Sequence, residues 1–393
     1  MTMDKISYID DDINKGIKVD WKKVHKEIKK LKIPTEIYNP LYNTNMYDNS
    51  YFVELSERSI GKTTNWLLIG LVLYKLYGIQ TQYLRQIEAM ITPKNCKDLY
   101  KTIIKFDYIS KIFDGKYNSI EYKARRWTLL YRDDDGNVIN KDTNYCTISL
   151  DIEHNEVYKS SYSTTTGDLI IFDEFISKYY RPDEFIYFLD LIKTIQRERQ
   201  TVKVVMLANT LDIHSQYFHE LEIFDTLQQM ELGDYKQVIT DLGTKIYIKL
   251  LSPDKVLKTN KSISNRLYYG FKNTKLNAIT GRGWNIEAAQ HIPKNLEYTV
   301  LVNNLYIYHN NKMLKCDVVK NDYGICIYAH WSSKIYDDSI IFTLSNIDDS
   351  RQVYKLGTTY KTKLFDKLIK ANKVYFASND CASFFRNYYK QCS

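Results

Sequence analysis

The chain has 393 residues, a formal net charge of +8 and 44% hydrophobic residues, which is enough apolar content for the cores of two or three domains. Its 14 glycines and 6 prolines are few beside 35 tyrosines, which excludes a disordered or fibrous chain and indicates a soluble globular protein. The first 16 residues are acidic and polar, and no apolar run reaches the length of a membrane span, so we expect neither export nor a membrane partner.

The six cysteines are scattered along the chain. They form no CxxC pair, and no histidine cluster stands at zinc-binding spacing. We therefore expect reduced, buried thiols of a cytosolic protein. The cysteines are Cys96, Cys146, Cys316, Cys326, Cys381 and Cys392.

Charge is divided unevenly along the sequence. Residues 1–234 carry a net charge of −4, whereas residues 235–393 carry 24 basic and 12 acidic residues, a net charge of +12. A basic C-terminal part favours a polyanionic partner, nucleic acid above all, although a solvated lysine-rich surface is the alternative.

The first elements in chain order are a helix and a strand. An amphipathic helix is predicted from Trp21 up to Pro34, with its lysines on the face opposite the apolar residues. The apolar run 51–55 predicts a buried strand, and the apolar segment 66–77 predicts a helix.

Between this strand and helix lies a candidate phosphate-binding loop ending in Gly61-Lys62-Thr63. Backbone N–H groups and the positive end of the helix would converge on an anion there, with Lys62 reaching the β/γ-phosphates of a nucleotide and Thr63 reaching Mg²⁺. Ser56 stands where this motif has its first glycine, and a polar turn with a solvated lysine is the alternative interpretation. The predicted nucleotide-binding residues are Ser56, Glu57, Arg58, Ser59, Ile60, Gly61, Lys62, Thr63 and Thr64.

The next segment contains mixed elements. Residues 81–87 predict a strand, residues 93–113 a helical region, and residues 123–131 and 145–150 two strands around a polar turn at 133–136. The cluster Lys123, Arg125 and Arg126 is either a phosphate contact or ordinary surface.

The second strong signal is the acid strand 168–174, an apolar run that ends in Asp173-Glu174. Its continuous apolar stretch is typical of a strand buried on both faces of a parallel sheet, where ligands bind at the carboxyl ends of strands. In this position Asp173 would hold Mg²⁺, and Glu174 would activate water for attack on the γ-phosphate.

A helix is predicted to begin at Pro182, with Phe185, Phe188, Leu189, Ile192 and Ile195 facing the core. It runs into Arg197-Glu198-Arg199. These arginines either complement the helix dipole or, in a ring of ATPases, bring Arg197 into a neighbour's site. The following buried strand 202–208 ends at Asn209, which would face the same crevice as the acid pair and sense the γ-phosphate.

These elements predict an α/β nucleotide domain over residues 1–235, with a mostly parallel sheet flanked by helices. Residues 236–292 indicate a small linker subdomain. Residues 293–393 contain strand patterns at 298–308, 312–319, 323–329, 339–344 and 373–377, with helices at 362–371 and 381–390.

The sequence resembles the DNA-packaging motor ATPases, or encapsidation proteins, of small tailed phages of the φ29-like group, which are similar to large terminase subunits. The resemblance rests on the glycine-poor loop with Arg58 inside it, the run 171–176 (IFDEFI), the Arg-Glu-Arg segment 197–199 and Leu207-x-Asn209, in that order. Supporting matches are Tyr38-Asn39-Pro40, the Lys-x-Arg-Arg cluster at 123–126 and the final segment 364–390.

This resemblance implies an ATPase domain of the ASCE class, the P-loop proteins that carry an additional strand and a catalytic glutamate. It implies a homo-oligomeric ring, a pentamer in the family, at the portal vertex of a preformed capsid, where ATP and Mg²⁺ drive double-stranded DNA inward. The protein would act in the host cytoplasm and be absent from the mature virion. Arg58 would touch phosphate, Asn209 would couple hydrolysis to motion, and the family's trans-acting arginine falls at or beside Arg197.

The resemblance also implies a C-terminal α+β domain of RNase H-like fold. We expect this domain to be a vestigial nuclease, because Asn303-Asn304 occupies the end of its first predicted strand, leaving Asp317, Asp322 and Asp380 as nearby carboxylates. It would bind DNA, or a structural packaging RNA where the phage has one. The alternatives are a HerA- or FtsK-like translocase or helicase acting without a capsid, and a non-catalytic nucleic-acid-binding module.

Overall fold

A computed structural model describes the chain in segments, and all statements below concern these residues. They are 16–34, 48–56, 61–176, 183–197, 199–209, 215–251, 290–292, 297–309, 311–322, 324–354 and 363–392. None of the described helices is both long and apolar enough to cross a membrane. All six cysteines lie within these segments; no disulfide joins them, and five are buried.

The first domain is built on a ten-stranded sheet. Its strands are β1 (Tyr51–Ser56), β2 (Thr81–Arg85), β3 (Ser119–Lys123), β4 (Arg126–Arg132), β5 (Val138–Lys141), β6 (Thr147–Asp151), β7 (Leu169–Asp173), β8 (Lys203–Asn209), β9 (Tyr235–Ile239) and β10 (Lys245–Leu250). Its described helices are α1 (Trp21–Lys30), α2 (Lys62–Tyr77), α3 (Pro93–Cys96), α4 (Lys101–Lys105), α5 (Tyr108–Ile112), α6 (Asn155–Ser161), α7 (Glu184–Gln196), α8 (Gln216–Glu220) and α9 (Phe224–Gln228).

The strand order explains where a ligand can bind. The order is β3-β4-β6-β2-β7-β8-β1-β10-β9, with β5 paired to β4. Six neighbouring strands of this order are parallel to one another, so their carboxyl ends share one edge of the sheet. They are β6, β2, β7, β8, β1 and β10. The additional strand β8 lies between the loop-bearing strand β1 and the acid strand β7, which is the order that the ASCE class requires.

Helices cover both faces of this sheet. One apolar core joins α1, α2, α4 and α5 to the sheet, and the other joins α6, α7, α8 and α9 to its opposite face. The strand β7 is buried along its whole length, as the apolar run in its sequence predicts.

The second domain contains a seven-stranded sheet. Its elements are β11 (Thr299–Val302), β12 (Leu305–His309), β13 (Lys312–Asn321), β14 (Gly324–Trp331), β15 (Ile340–Thr343), β16 (Gln352–Tyr354), α10 (Lys363–Lys370), β17 (Val374–Phe376) and α11 (Asn379–Cys392). The order β16-β15-β12-β13-β14 places two parallel strands beside an antiparallel meander, which is the RNase H order, and α10 and α11 pack on one face.

Several elements differ from the sequence expectations. Residues 235–250 pair with β1 in the first sheet, so the first domain extends past residue 235 to at least Leu250. The helical region 93–113 is three short helices, and the strand expected from residue 123 begins at Arg126, because Ala124 and Arg125 form a turn with positive φ angles of 49° and 64°.

Two further differences concern α7 and the second domain. Leu189 of α7 is 36% exposed, and Leu191 occupies the core instead. Asn303 and Asn304 lie between β11, which ends at Val302, and β12, which begins at Leu305, so the single strand expected over residues 298–308 is two strands. Most of the expected linker, residues 252–289, lies outside the described residues.

Candidate nucleotide-binding site

The candidate phosphate-binding loop leaves β1 at Ser56 and re-enters the described structure at Gly61. Gly61 has a φ of 80°, in the left-handed region that favours glycine, and it is the N-cap of α2. The Asn65 side chain donates to the Gly61 carbonyl over 3.0 Å and fixes this turn. The predicted binding residues Glu57, Arg58, Ser59 and Ile60 lie outside the described residues.

Lys62 is the first residue of α2 and is 8% exposed. Its ammonium donates to the hydroxyl of the buried Ser56. The serine that replaces the usual first glycine of the loop therefore supplies an acceptor for the loop lysine. Thr64, the third residue of α2, is half-buried.

Thr63 and Asp173 are brought together from positions 110 residues apart. The Thr63 hydroxyl donates to Asp173 Oδ1 over 3.1 Å, beside the N-terminus of α2. A hydroxyl and a carboxylate oxygen at this distance are the hard oxygen donors that Mg²⁺ prefers. The two residues therefore fit the metal site expected from the sequence.

Arg85, at the end of β2, bridges the acid pair. Its Nη2 donates to Glu174 Oε2 over 2.6 Å, and its Nη1 donates to Asp173 Oδ2 over 3.2 Å. The Tyr83 hydroxyl also donates to Asp173 Oδ2, over 2.8 Å. Burial raises the pKa of Tyr83 well above its usual value, and the Asp173 carboxylate adds to this effect. Burial disfavours the charged form of Arg85, but Tyr83 and the two carboxylates outweigh it and raise its pKa.

Arg85 and Tyr83 are not among the site residues predicted from the sequence. No motif marks a polar residue at the end of β2. The register does, because Leu84 pairs with Phe172 and Arg85 therefore lies beside Asp173. These two residues could be predicted only from the pairing of β2 with the acid strand β7.

Asn209 ends β8 directly opposite Ser56 in the parallel register. It therefore lies at the carboxyl edge of the sheet, beside the start of the phosphate-binding loop, and is half-buried. This is the location expected from the sequence.

Arg197 and Arg199 have different environments. Arg199 is buried; its Nε donates to Asp168 Oδ1 over 2.6 Å, and its Nη1 and Nη2 donate to the carbonyls of Thr164 and Ile195. Arg197 is exposed and has a positive φ of 51°. Arg199 is therefore a structural residue, and Arg197 is the arginine available to another molecule.

A buried carboxyl group lies on β1, the strand that precedes the loop. Glu54, on β1, is 2% exposed, and its Oε2 accepts no hydrogen bond within the described structure. Burial raises the pKa of Glu54 to about 8, against the opposing effects of the neighbouring Trp66 indole and Lys62 ammonium. Glu54 is therefore largely protonated at neutral pH.

One further group resembles a metal site. Ligand atoms of Asp151, Glu153 and His154, after β6, lie within 4.8 Å of one another. The Asp151 carboxylate already accepts bonds from Arg125 over 3.0 Å and from Tyr158 over 2.8 Å. Its charge is therefore balanced by the Lys-x-Arg-Arg turn, which makes Arg125 an internal contact.

In the second domain, Asp317 is the one carboxylate among the described residues that is buried. Lys315 Nζ lies 3.0 Å from its Oδ1, and His330 Nε2 lies 2.9 Å from its Oδ2. Burial favours the protonated form, but His330 and Lys315 prevail and lower the pKa of Asp317. A metal ion would have to displace both of these contacts.

The fold and this site define a P-loop protein of the ASCE class with an RNase H-like second domain. No protein-family model matches the sequence, and no curated protein matches it significantly. Solved structures do match. A chain of the Phi-28 gp11 DNA packaging motor is 18% identical, covers 91% of this chain and 97% of its own, and superposes with a TM-score of 0.55.

A chain of the bacteriophage Phi-29 viral genome packaging motor assembly is 17% identical, with 91% of this chain and 100% of that chain covered and a TM-score of 0.56. At these identities the likeness establishes the fold. The chain thus has the two-domain fold of phage DNA-packaging motor proteins, and the resemblance inferred from the motifs is confirmed at that level.

Proposed function

We propose that this protein is an ATPase that uses hydrolysis to move double-stranded DNA into a preformed phage capsid. The observation that carries the ATPase part is the contact between Thr63 and Asp173 at the N-terminus of α2. The translocation part is supported by the likeness to packaging motor proteins over 91% of the chain, which includes both domains.

In the proposed reaction, Lys62 binds the β/γ-phosphates, and Thr63 and Asp173 hold the metal ion. Bound Mg²⁺ would neutralise charge on the phosphates and so favour their transfer to water. Glu174, whose carboxylate is 52% exposed, orients the attacking water and accepts its proton. Residues 57–60, including Arg58, complete the phosphate contacts in this proposal.

Asn209 and Arg197 extend the site to a working ring. Asn209 lies opposite Ser56 and would detect the γ-phosphate. Arg197 would enter the site of a neighbouring subunit and stabilise charge that develops in the transition state. We propose a homo-oligomeric ring for this reason, and its pentameric state follows from the resemblance alone.

The second domain would bind the nucleic acid. Residues 293–393 carry 14 basic and 9 acidic residues, a net charge of +5, and phosphate contacts by basic residues are non-specific and weakened by salt. Its central parallel strands, LYIYH and IIFT, contain no carboxylate. We propose that this RNase H-like domain is not a nuclease, because two-metal cleavage needs clustered carboxylates.

The portal vertex of the capsid would be the place of action, within the host cytoplasm, and the mature virion would lack the protein. A structural packaging RNA would be a second polyanion suited to the basic domain. A helicase-like translocase acting without a capsid is the competing function.

The test pairs ATP turnover with DNA packaging into purified empty capsids. We expect Lys62→Ala to abolish tight nucleotide binding, and Glu174→Gln to keep nucleotide binding while lowering turnover at least about a hundredfold. Glu153→Gln is the matched control, because Glu153 is an exposed glutamate at the same edge of the sheet. Unchanged turnover in Glu174→Gln would overturn the ATPase assignment. ATP-driven DNA translocation without any capsid dependence would favour the helicase-like function.

A further inference from the structure

The helix α1 separates two kinds of side chain. Val24, Ile28 and Leu31 are buried in the core that also contains α2. Because each residue of a helix turns the chain by about 100°, five lysines fall on the opposite face, within an arc of about 120°. They are called the α1 lysine face below, and all are exposed: Lys22, Lys23, Lys26, Lys29 and Lys30.

This positive charge stands in a domain that is acidic as a whole. Residues 1–234 carry a net charge of −4, whereas residues 16–34 alone contain seven lysines and two acidic residues, a net charge of +5. Glu27 pairs with Lys30, whose Nζ lies 2.6 Å from its Oε1. Within the described structure no carboxylate pairs with the other four lysines of the face. The face therefore presents uncompensated positive charge to solvent.

The stability of the helix does not explain these lysines. Lys22 and Lys23 lie in the first turn, which contains no acidic residue, although the positive end of the helix dipole disfavours cations there. Lys22 and Lys26 are like charges four residues apart, an arrangement that destabilises a helix. Burial and the charge of Lys29 both lower the pKa of the neighbouring His25. An anionic partner would relieve the repulsion between these charges.

The N-terminus of α1 is fixed to the domain by polar contacts. The Asp20 side chain accepts from the backbone N–H groups of Lys22 and Lys23 over 3.0 and 3.2 Å, and so caps the helix. The Asp20 N–H donates to the hydroxyl of Tyr77, the last residue of α2, over 3.1 Å. The lysine face is therefore formed before a partner binds, and binding does not require a segment to fold.

The residue types on this face indicate the kind of partner. The face contains no aromatic side chain, so it lacks the stacking surfaces on which single strands bind. It also lacks the Arg, Asn and Gln side chains that read base edges in a groove. Lysine ammonium groups bind phosphates as point charges, whatever the base sequence. A duplex backbone fits these properties.

The length of the face also fits a duplex. With 10 residues, α1 spans about 15 Å. Double-stranded DNA carries one phosphate charge about every 1.7 Å along its axis, so several lysines of the face can contact phosphates of one duplex at once. Double-stranded DNA is also the duplex that the proposed function brings to this domain.

We propose that the α1 lysine face is a DNA-contact surface on the first domain, which binds the phosphate backbone of double-stranded DNA without regard to sequence. The proposal rests on the proposed translocation function, because that function makes double-stranded DNA the ligand. It adds a surface on the nucleotide-binding domain to the one proposed for the second domain. Because α1 packs against α2, DNA on this face is held at the helix that begins with Lys62.

The test measures binding of a short fluorescent DNA duplex to full-length protein, without ATP, at a series of salt concentrations. The test variant is Lys22→Gln/Lys26→Gln/Lys29→Gln, because glutamine has a helix propensity close to that of lysine. We expect its affinity at low salt to fall at least about tenfold. The slope of log K against log salt concentration should decrease by about 2 to 3, since each lost phosphate contact contributes about 0.9. ATP turnover without DNA should change less than about twofold.

A second triple variant controls for net charge. Lys141→Gln/Lys159→Gln/Lys245→Gln removes the same charge from three exposed lysines of the first domain, which lie on β5, α6 and β10 and share no face. We expect its affinity for the duplex to stay within about twofold of the wild-type value. Equal losses of affinity in the two triple variants would overturn the proposal, because they would reflect net charge alone.

A charge-conserving variant controls for folding and packing. Lys22→Arg/Lys26→Arg/Lys29→Arg keeps the charge of the face and should bind the duplex like the wild-type protein. If the glutamine variant of the face does not fold, the single variants Lys26→Gln and Lys26→Glu decide the question. The reversal of charge should then weaken duplex binding more than its removal does, whereas Lys141→Gln and Lys141→Glu should both bind normally.

Three results contradict the proposal directly. They are an unchanged duplex affinity in the test variant, a loss confined to single-stranded DNA, and a loss confined to an RNA duplex. Failure of the proposed function gives a different pattern, in which Glu174→Gln turns over ATP like the wild-type protein whatever the lysine variants bind. Failure of the surface alone leaves Glu174→Gln inactive and the duplex affinity of the test variant unchanged.

Discussion

Arg197 and Thr63 lie at opposite edges of the same parallel sheet. Thr63 contacts Asp173 at the carboxyl end of β7. Arg197 follows α7, which runs back along the sheet, and it precedes β8. The first residue of β8 pairs with the first residue of β7, at the opposite end of that strand. With 13 residues, α7 spans about 20 Å. Arg197 is therefore too far from the phosphate-binding loop of its own subunit to act there.

This separation predicts complementation between inactive variants. We expect Arg197→Ala to lower ATP turnover of the assembled ring at least about a hundredfold while leaving nucleotide binding unchanged. Mixing it with Lys62→Ala should restore part of the turnover, because a Lys62→Ala subunit still supplies its Arg197 to a neighbour with an intact loop. Lys193→Ala, an exposed lysine in the last turn of α7, is the control. A mixture no more active than its components would contradict a role in trans.

The neighbouring arginine should affect stability instead. We expect Arg199→Ala to lower the free energy of unfolding by about 3–5 kcal/mol, since it leaves the Asp168 carboxylate buried without its cationic partner. Arg197→Ala, two residues away and exposed, should cost less than about 0.5 kcal/mol. Urea unfolding of both variants measures the difference. Equal losses would mean that the buried pair with Asp168 contributes nothing.

Glu54 predicts a pH dependence of stability. Its pKa is about 8 in the folded protein and near 4.5 when unfolded, so between these values the folded state binds the extra proton and stability falls as pH rises. The lost stability is on the order of 5 kcal/mol above pH 8. Glu54→Gln should be more stable than the wild-type protein at pH 8.5 and similar to it at pH 5. Thermal melts at the two pH values test this, and identical pH profiles for both proteins would contradict it.

The second domain should not cleave DNA. With the Asp317 carboxylate held by Lys315 and His330, we expect no cleavage of plasmid DNA with either Mg²⁺ or Mn²⁺, measured on gels beside a metal-dependent nuclease as the positive control. Asp317→Asn should destabilise the fold, because it removes the negative charge that Lys315 and His330 contact. Cleavage by the wild-type protein that disappears in Asp317→Asn would show a working nuclease.

Lys312 and Phe224 form a contact between the two domains. Lys312, at the start of β13, lies 4.4 Å from the ring centroid of Phe224 on α9, a cation–π distance. Helix α9 packs in the core that also contains the acid strand and α7. This contact therefore joins the second domain to the core that contains the acid strand.

The sequence by itself determined the local chemistry of this protein. The Gly61-Lys62-Thr63 tripeptide, the apolar run before Asp173-Glu174 and the strand ending at Asn209 are contiguous patterns, and local periodicity marks the strands and helices around them. Their placement at one edge of the sheet followed from the geometry of parallel strands.

Only the tertiary structure decided which residues from distant segments meet. The strand order brought Arg85 beside the acid pair, joined residues 235–250 to the first sheet and separated the buried Arg199 from the exposed Arg197. These outcomes depend on register and long-range packing, which are set by contacts between segments tens to hundreds of residues apart. No local pattern of residues encodes such contacts.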